Sequence, residues 1–263
     1  MGHFDISPSP ASLPESADMS MAAPVIELSN VRFSWTAASP VVVDIESLRI
    51  DEGERVFLRG PSGSGKSTLL SLLAGVTVPR TGGIWVLGQD MGRLGGAARD
   101  RFRADHIGFI FQMFNLIPYL SVLENVCLPC GFSARRGARA SSGGTGIEAE
   151  AIRLLEHLDM ADTALLRRPV NALSVGQQQR VAAARALIGR PELVIADEPT
   201  SSLDEDRRAA FLDLLFRECE QRRTTLIFVS HDASLGARFD RVLPFGEINR
   251  SSGAVKTHGR VTQ

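Results

Sequence analysis

The sequence is short of several things at once. Its 263 residues include three cysteines, one tyrosine and two tryptophans, and the formal charges balance to −1. Three cysteines do not make a disulfide framework, and such sparse use suits a reducing, cytosolic setting. A near-neutral chain lacks the strong basic footprint of most nucleic-acid binders, so no nucleic-acid partner is expected. No apolar run nears the roughly 20 residues that cross a bilayer. The run Leu69–Val76 is broken by Ser71. The N-terminus lacks the basic start and apolar core of a secretory leader. Gly2 hints at myristoylation, but Ile6 stands where Ser or Thr is needed. What remains, 44% hydrophobic and 22% charged, is an ordinary globular balance with length enough for one large core.

Residues 1–24 are polar, proline-bearing and aperiodic, and are expected to form a disordered tail. The folded unit is expected over 25–250, with a second tail over 251–263. Short strands are read at Val25–Leu28, Val41–Val43, Leu48–Ile50, Arg55–Arg59 and Ile107–Phe111. Leu193–Ala196 and Thr225–Val229 are apolar but for Thr225, as in strands buried within a parallel sheet. Helices are expected over Glu148–Leu158 and from about Gln177 to Ile188. The Gly/Ser/Arg-rich stretch 133–147 reads as a flexible surface loop, with Arg135, Arg136 and Arg139 solvated. There is no internal repeat.

Gly60, Pro61, Ser62, Gly63, Ser64, Gly65, Lys66, Ser67 and Thr68 form a complete phosphate-binding loop. A strand leads into it and an apolar helix leads out. Glycines let backbone N–H groups turn inward onto phosphate oxygens, and the following helix adds its positive end. Lys66 is placed to reach the outer phosphates, and the Ser67 hydroxyl to ligate Mg²⁺. Further on, Leu193–Ala196 delivers Asp197 and Glu198 at a strand's C-terminal end, where α/β sheets bind ligands. Asp197 suits a Mg²⁺ ligand and Glu198 a general base for water.

A third motif, Leu173-Ser174-Val175-Gly176-Gln177 with the run Gln178–Ala186, resembles the ABC signature and its helix. In register with it are Trp35, Gln112 in Gly108–Gln112, Ser201–Asp204 and His231 in Val229–Asp232. On these matches the chain resembles the ABC ATPase family over most of its expected ordered length, from Val25 to about Gly246. The fold implied is α/β, a P-loop NTPase cassette: a RecA-like core, an antiparallel β subdomain and an inserted helical subdomain at about 113–186.

The resemblance also implies roles. Trp35 would stack on adenine, Gln112 would sense Mg²⁺ and the attacking water, and His231 would hold the γ-phosphate. Ser174, Gly176, Gln177 and Asp204 would serve a nucleotide shared with a second cassette, as a homodimer. ATP and Mg²⁺ are the implied cofactors. An integral-membrane permease is the implied partner, with the chain peripheral on the inner face of the cell membrane. The stretch Ile107–Pro118 and Ser121–Val126 is similar to the subgroup of lipoprotein release, macrolide export and cell division. Within it Met113, Phe114 and Leu116 would form the groove for the permease. One departure is Val175, where the family has glycine. A β-branched residue dislikes positive φ.

Two further signals are discounted. Cys127 and Cys130 have redox or half-zinc spacing, but there is no second pair and no thioredoxin-type context. Asn249-Arg250-Ser251 is a formal glycosylation sequon without meaning in a cytosolic chain. The competing function classes are a soluble ABC ATPase acting on ribosomes or nucleic acid, and a regulatory cassette with little turnover.

Overall fold

A computed structural model describes residues 24–253, apart from 161 and 202. All of the expected N-terminal tail except Pro24 lies outside the described residues, as does 254–263. The described part begins with β1 (Pro24–Phe33) and β2 (Val43–Asp51), then β3 (Arg55–Arg59), α1 (Lys66–Leu73), β4 (Thr81–Val86) and β5 (Gln89–Asp90). There follow α2 (Gly96–His106), β6 (Ile107–Ile110), α3 (Val122–Phe132), α4 (Ala134–Ala140), α5 (Gly146–His157) and α6 (Val175–Leu187). The last elements are β7 (Leu193–Asp197), α7 (Glu205–Arg222), β8 (Thr225–Ser230), β9 (Arg241–Pro244) and α8 (Phe245–Ile248).

These strands make two sheets, one in the order β2-β1-β4-β5 and one in the order β6-β7-β8-β3-β9. The first is antiparallel and the second parallel throughout. The two short strands expected between 41 and 50 are one strand. Val43, Ile45, Leu48 and Ile50 keep its inner face buried across the polar residues between them.

The parallel strands serve two cores at once. On β3, Val56 and Leu58 join the antiparallel sheet and α1, while Phe57 faces the helices. On β7, Leu193 and Ile195 take the first side and Val194 and Ala196 the second. β8 divides in the same way, with Ile227 and Val229 against Leu226 and Phe228. Successive side chains alternate across a strand, so a strand covered on both faces must be apolar at every position. That is why Val56–Leu58, Leu193–Ala196 and Leu226–Val229 lack polar residues.

The expected loop at 133–147 is a correction. It contains α4 and the first turn of α5. The Ser133 hydroxyl accepts the Arg136 N–H at 3.0 Å and starts α4 as an N-cap. Arg136 is 3% exposed, not solvated. Its Nε donates to the Ile188 carbonyl at 2.8 Å, and its Nη2 to those of Ala186 and Ile188 at 2.8 and 2.5 Å. These are the free carbonyls at the end of α6, where a helix dipole favours a cation. Gly189 lets the chain turn there, with φ +70° and Arg136 Cβ only 2.5 Å from where its own Cβ would stand. Arg135 and Arg139 both pair with Glu192, at 2.9 and 2.7 Å. A composition that usually means solvent here closes one helix with another.

The cysteines behave as packing groups. Burial pushes the Cys127 thiol up to about 11 and raises Cys130 as well, which makes both poor nucleophiles. Asn249 is 1% exposed. It accepts the Asp44 N–H at 2.8 Å and donates to the Val42 carbonyl at 3.0 Å. The sequon is thus an internal clamp. Ser251 donates to the same carbonyl at 2.8 Å, so the segment from 251 begins in a bonded turn.

Candidate functional site

β3 runs into the glycine-rich loop, and α1 starts at Lys66. Gly65 has φ +106°, and a Cβ there would stand 3.0 Å from the Val42 carbonyl oxygen, so only glycine fits the turn. The Lys66 ammonium donates to the carbonyls of Gly60 and Pro61 at 2.7 and 2.9 Å. The loop therefore grips its own cation at its centre. The Ser64 hydroxyl is buried in the same loop with no partner among the described residues.

The parallel strands bring the acidic groups to this loop. The Ser67 hydroxyl donates to Asp197 Oδ2 at 3.2 Å. Burial raises the Asp197 carboxyl above its ordinary value and Glu198 adds to that, against the Ser67 hydrogen bond and the Lys66 charge. Glu198 follows β7 with φ +48°, a left-handed conformation that a glutamate rarely adopts. Its N–H is tied to the Val229 carbonyl at 2.9 Å. Its Oε2 lies 3.0 Å from His231 Nδ1, which follows β8. A strained backbone held by a neighbouring strand aims a carboxylate away from Asp197's course.

Around these groups is an open cavity of about 800 Å³. It is lined by Trp35, Val42, Ser62, Gly63, Gly65, Lys66, Ser67, Thr68, Gln112, Asp197, Glu198 and His231. Trp35 is 57% exposed and meets Phe33 edge-on, so it is no core residue. Sequence reasoning overlooked Val42, whose carbonyl meets the loop and the Asn249–Ser251 clamp. That clamp joins residues more than 200 positions apart. Nothing in its local pattern pointed to it.

Ser174, Gly176, Gln177 and Asp204 do not line this cavity. Ser174 is the N-cap of α6, in a capping box: its hydroxyl accepts the Gln177 N–H and the Gln177 side chain accepts the Ser174 N–H at 2.9 Å. Gly176 meets open space within 4 Å of where a Cβ would stand. Val175 opens the helix with the negative φ of a helical residue and is 49% exposed. Its departure from glycine therefore costs no strain. Asp204 caps α7 by accepting the Arg207 N–H at 2.9 Å.

The residues present fit a hard divalent ion carried with a phosphate chain. The Ser67 and Asp197 oxygens converge, with Gln112 on the same cavity wall. Among the described residues no group of three His, Cys, Asp or Glu side chains could hold a metal unaided. Mg²⁺ behaves this way, binding through one or two protein oxygens and completing its shell from water and phosphate.

A second cavity, about 850 Å³ and mainly apolar, lies between the α1–α2 region and α3. Phe109, Phe111, Leu128, Pro129 and Phe132 line it, with Phe132 75% exposed. None of the expected groove residues Met113, Phe114 and Leu116 lines it. Met113 is exposed, but Phe114 is buried and Leu116 packs on the helical core. The backbone between Met113 and Leu116 is left-handed at Phe114 and at Asn115.

Comparison with known proteins gives a consistent result. The ABC transporter family profile matches residues 43–201. The chain is 45% identical over 196 residues to an uncharacterized ABC transporter ATP-binding protein, YbbA, of Escherichia coli, covering 74% of this chain and 82% of that one. It is 39% identical over 223 residues to the lipoprotein-releasing system ATP-binding protein LolD of Pseudomonas syringae pv. tomato, covering 83% and 93%. Among solved structures, the ATP-binding cassette MJ0796 in a dimeric post-hydrolysis state with ADP and Pi superposes with a TM-score of 0.71 at 36% identity. That match covers 84% of this chain and 95% of the other.

Proposed function

The chain belongs to the ABC transporter ATP-binding family, and from that premise we propose how its residues turn over ATP and which partner they serve. It is an ATPase subunit, and its P-loop cavity is the place for the nucleotide. Trp35 offers an open aromatic face for adenine, and backbone N–H groups of 60–65 with the start of α1 cradle the phosphates. The Lys66 ammonium leaves the Gly60 and Pro61 carbonyls for phosphate oxygens, a stronger, charge-assisted bond. Ser67, Asp197 and Gln112 would hold Mg²⁺, which neutralises charge on the phosphates when bound.

Glu198 acts as general base. Its carboxylate accepts a proton from the attacking water while His231, 3.0 Å away, holds it in position and faces the γ-phosphate. The pairing of these two groups beside Ser67 and Asp197 is the observation that carries this reading. Ser174, Gly176, Gln177 and Asp204 are surplus to one chain's cavity. Ser174, Gly176 and Gln177 stand at the N-terminus of α6 and Asp204 at that of α7, where the positive end of a helix suits the phosphates of a second copy's nucleotide, in a homodimer. The dimeric state of the MJ0796 cassette supports that assignment.

No helix among the described residues is long and apolar enough to cross a membrane. The apolar groove at Phe109, Phe111 and Phe132 suits an amphipathic helix of a permease. We assign that permease to the lipoprotein-release or macrolide-export kind, on the likeness to the lipoprotein-releasing relative. The chain then sits in the cytoplasm against the inner face of the membrane, with the cassette over 25–250 and its helical subdomain at about 113–186. The test is steady-state ATPase of Glu198→Gln against the natural chain, with sedimentation in ATP. Loss of a general base should lower kcat by about 100-fold or more, and the variant should accumulate as an ATP-bound dimer. Equal turnover in the two proteins would end the assignment.

A further inference from the structure

A third cavity, about 690 Å³, lies at the opposite edge of the parallel sheet from the P-loop. β3, β7 and β8 run parallel, and the P-loop, Glu198 and His231 lie beyond their C-terminal ends. This cavity is instead lined by residues that precede the strands, among them Glu52, Glu192, Arg222 and Arg223. Strands of five residues separate the two sites by roughly 16 Å.

Four arginines and two glutamates line it: Arg139, Arg190, Arg222 and Arg223, with Glu52 and Glu192. The glutamates are already engaged. Glu192 takes Arg139 at 2.7 Å along with Arg135 and His106, and Glu52 faces Arg223 at 3.4 Å. Two guanidinium groups of the lining, those of Arg190 and Arg222, pair with neither of these glutamates. The Arg190 side chain has neither an ion pair nor a hydrogen bond among the described residues, although its Nε is buried. The Arg222 Nε is buried and unpaired too. Its nearest carboxylate, Glu150 at 3.8 Å, is bound by both Nε and Nη2 of Arg153, at 2.8 and 3.0 Å. Burial, and then the charges of Arg190 and Arg153, hold the Arg222 guanidinium below its ordinary value.

Buried N–H groups without acceptors and like charges set together both cost stability. Each cost is relieved by one bound oxyanion. We propose that this cavity is an anion site in which Arg190 and Arg222 bind a phosphoryl group of a small molecule. The guanidinium fork matches phosphate oxygens in pairs, and the lining sets four arginines against two glutamates. The site is separate from the nucleotide cavity and shares no lining residue with it.

The test is calorimetric titration of the full chain with inorganic pyrophosphate, with chelator present and Lys66→Ala to weaken the P-loop. One saturable site should remain. Its Kd should rise at least tenfold when Arg190→Gln and Arg222→Gln are added, and less with Arg190→Lys and Arg222→Lys. Arg190→Gln alone, which removes no bond within the chain, covers the case in which the double variant fails to fold, and should itself weaken binding. Absence of binding in the Lys66→Ala chain, or unchanged binding in the Gln variants, would overturn the proposal. So would a site that takes pyrophosphate only after Asp5→Asn, Glu15→Gln and Asp18→Asn. That outcome would hand the cavity to the chain's own N-terminal carboxylates, since residues 1–23 contain no Lys or Arg.

Discussion

Replacing Arg136 by methionine should cost more than any loop substitution has a right to. The side chain is 3% exposed and bonds to no carboxylate, and burial draws its pKa down to about 10. What holds it is the end of α6: the Ile188 carbonyl, approached by both Nε and Nη2, and the Ala186 carbonyl at 2.8 Å. A hydrogen bond to a charged group contributes about 1.5–3 kcal/mol, so two occupied carbonyls represent about 3–6 kcal/mol gross. Releasing a desolvated guanidinium returns part of that, because burying a charge is itself unfavourable. Methionine fills most of the volume, yet leaves two buried carbonyls unpaired. The net loss should be about 2–4 kcal/mol, against a total stability of about 5–15 kcal/mol. With a urea slope near 3 kcal/mol/M, the denaturation midpoint should fall by about 1 M at unchanged slope. Arg136→Lys should lose at least half as much, because one ammonium cannot serve both carbonyls in the plane of the fork. A midpoint shift below about 0.2 M for the methionine variant would show that α4 is the solvated loop its composition suggests, and the reasoning would fail.

Val175→Gly, which restores the family's residue, should leave ATPase turnover within about twofold and lower stability by about 0.5–1 kcal/mol, since Val175 already has helical φ and glycine only adds freedom to the unfolded chain; a tenfold rise in turnover would mean that the signature needs a backbone valine denies. The second expectation concerns acid. Burial opposes ionisation of Glu218, yet the hydrogen bonds of Arg153 at 3.2 Å and His157 at 2.6 Å outweigh it and hold the carboxyl below its ordinary 4.5. A depressed folded pKa stabilises above the unfolded value and is lost as pH falls through the folded one. The melting temperature of the natural chain should therefore drop below about pH 4.5, and Glu218→Gln should flatten that limb while lowering stability at pH 7. Parallel acid limbs in the two proteins would refute it.

Legibility in the sequence followed the distance over which each feature is encoded. The P-loop is contiguous, so Gly60–Thr68 could be read directly, and Asp197 and Glu198 followed from one apolar strand ending in acid. The apolar runs Leu193–Ala196 and Leu226–Val229 announced burial on two faces, because alternation puts every second side chain on each covered face. What escaped depends on remote partners. Arg136 is buried by carbonyls about 50 residues away, and Asn249 by Val42 and Asp44, more than 200 away. Neither leaves a local trace. The left-handed backbone of Glu198 is equally silent, since it is imposed by the hydrogen bond to Val229 and not by residue preference.

The contact of Arg136 ends on α6, and two more side-chain bonds brace that helix from its own side. Arg136 closes the helix's last carbonyls, and Gln179 donates to the Pro199 carbonyl at 2.9 Å, just past Glu198. Arg185 donates to the carbonyls of Phe114 and Asn115 at 2.6 and 2.7 Å, directly after Gln112. Every one of these bonds ends on a backbone oxygen, which no change of rotamer on the accepting residue can relocate. Sliding α6 past its neighbours would break several at once, at about 1.5–3 kcal/mol for each bond to a charged donor. Turning the helix together with residues 113–115 breaks far fewer. Packed elements braced in this way move as bodies, so Ser174 and the backbone beyond Gln112 are mechanically one piece. The wall of the apolar groove includes Arg136 and Arg185, so two of the side chains that brace α6 also line that groove.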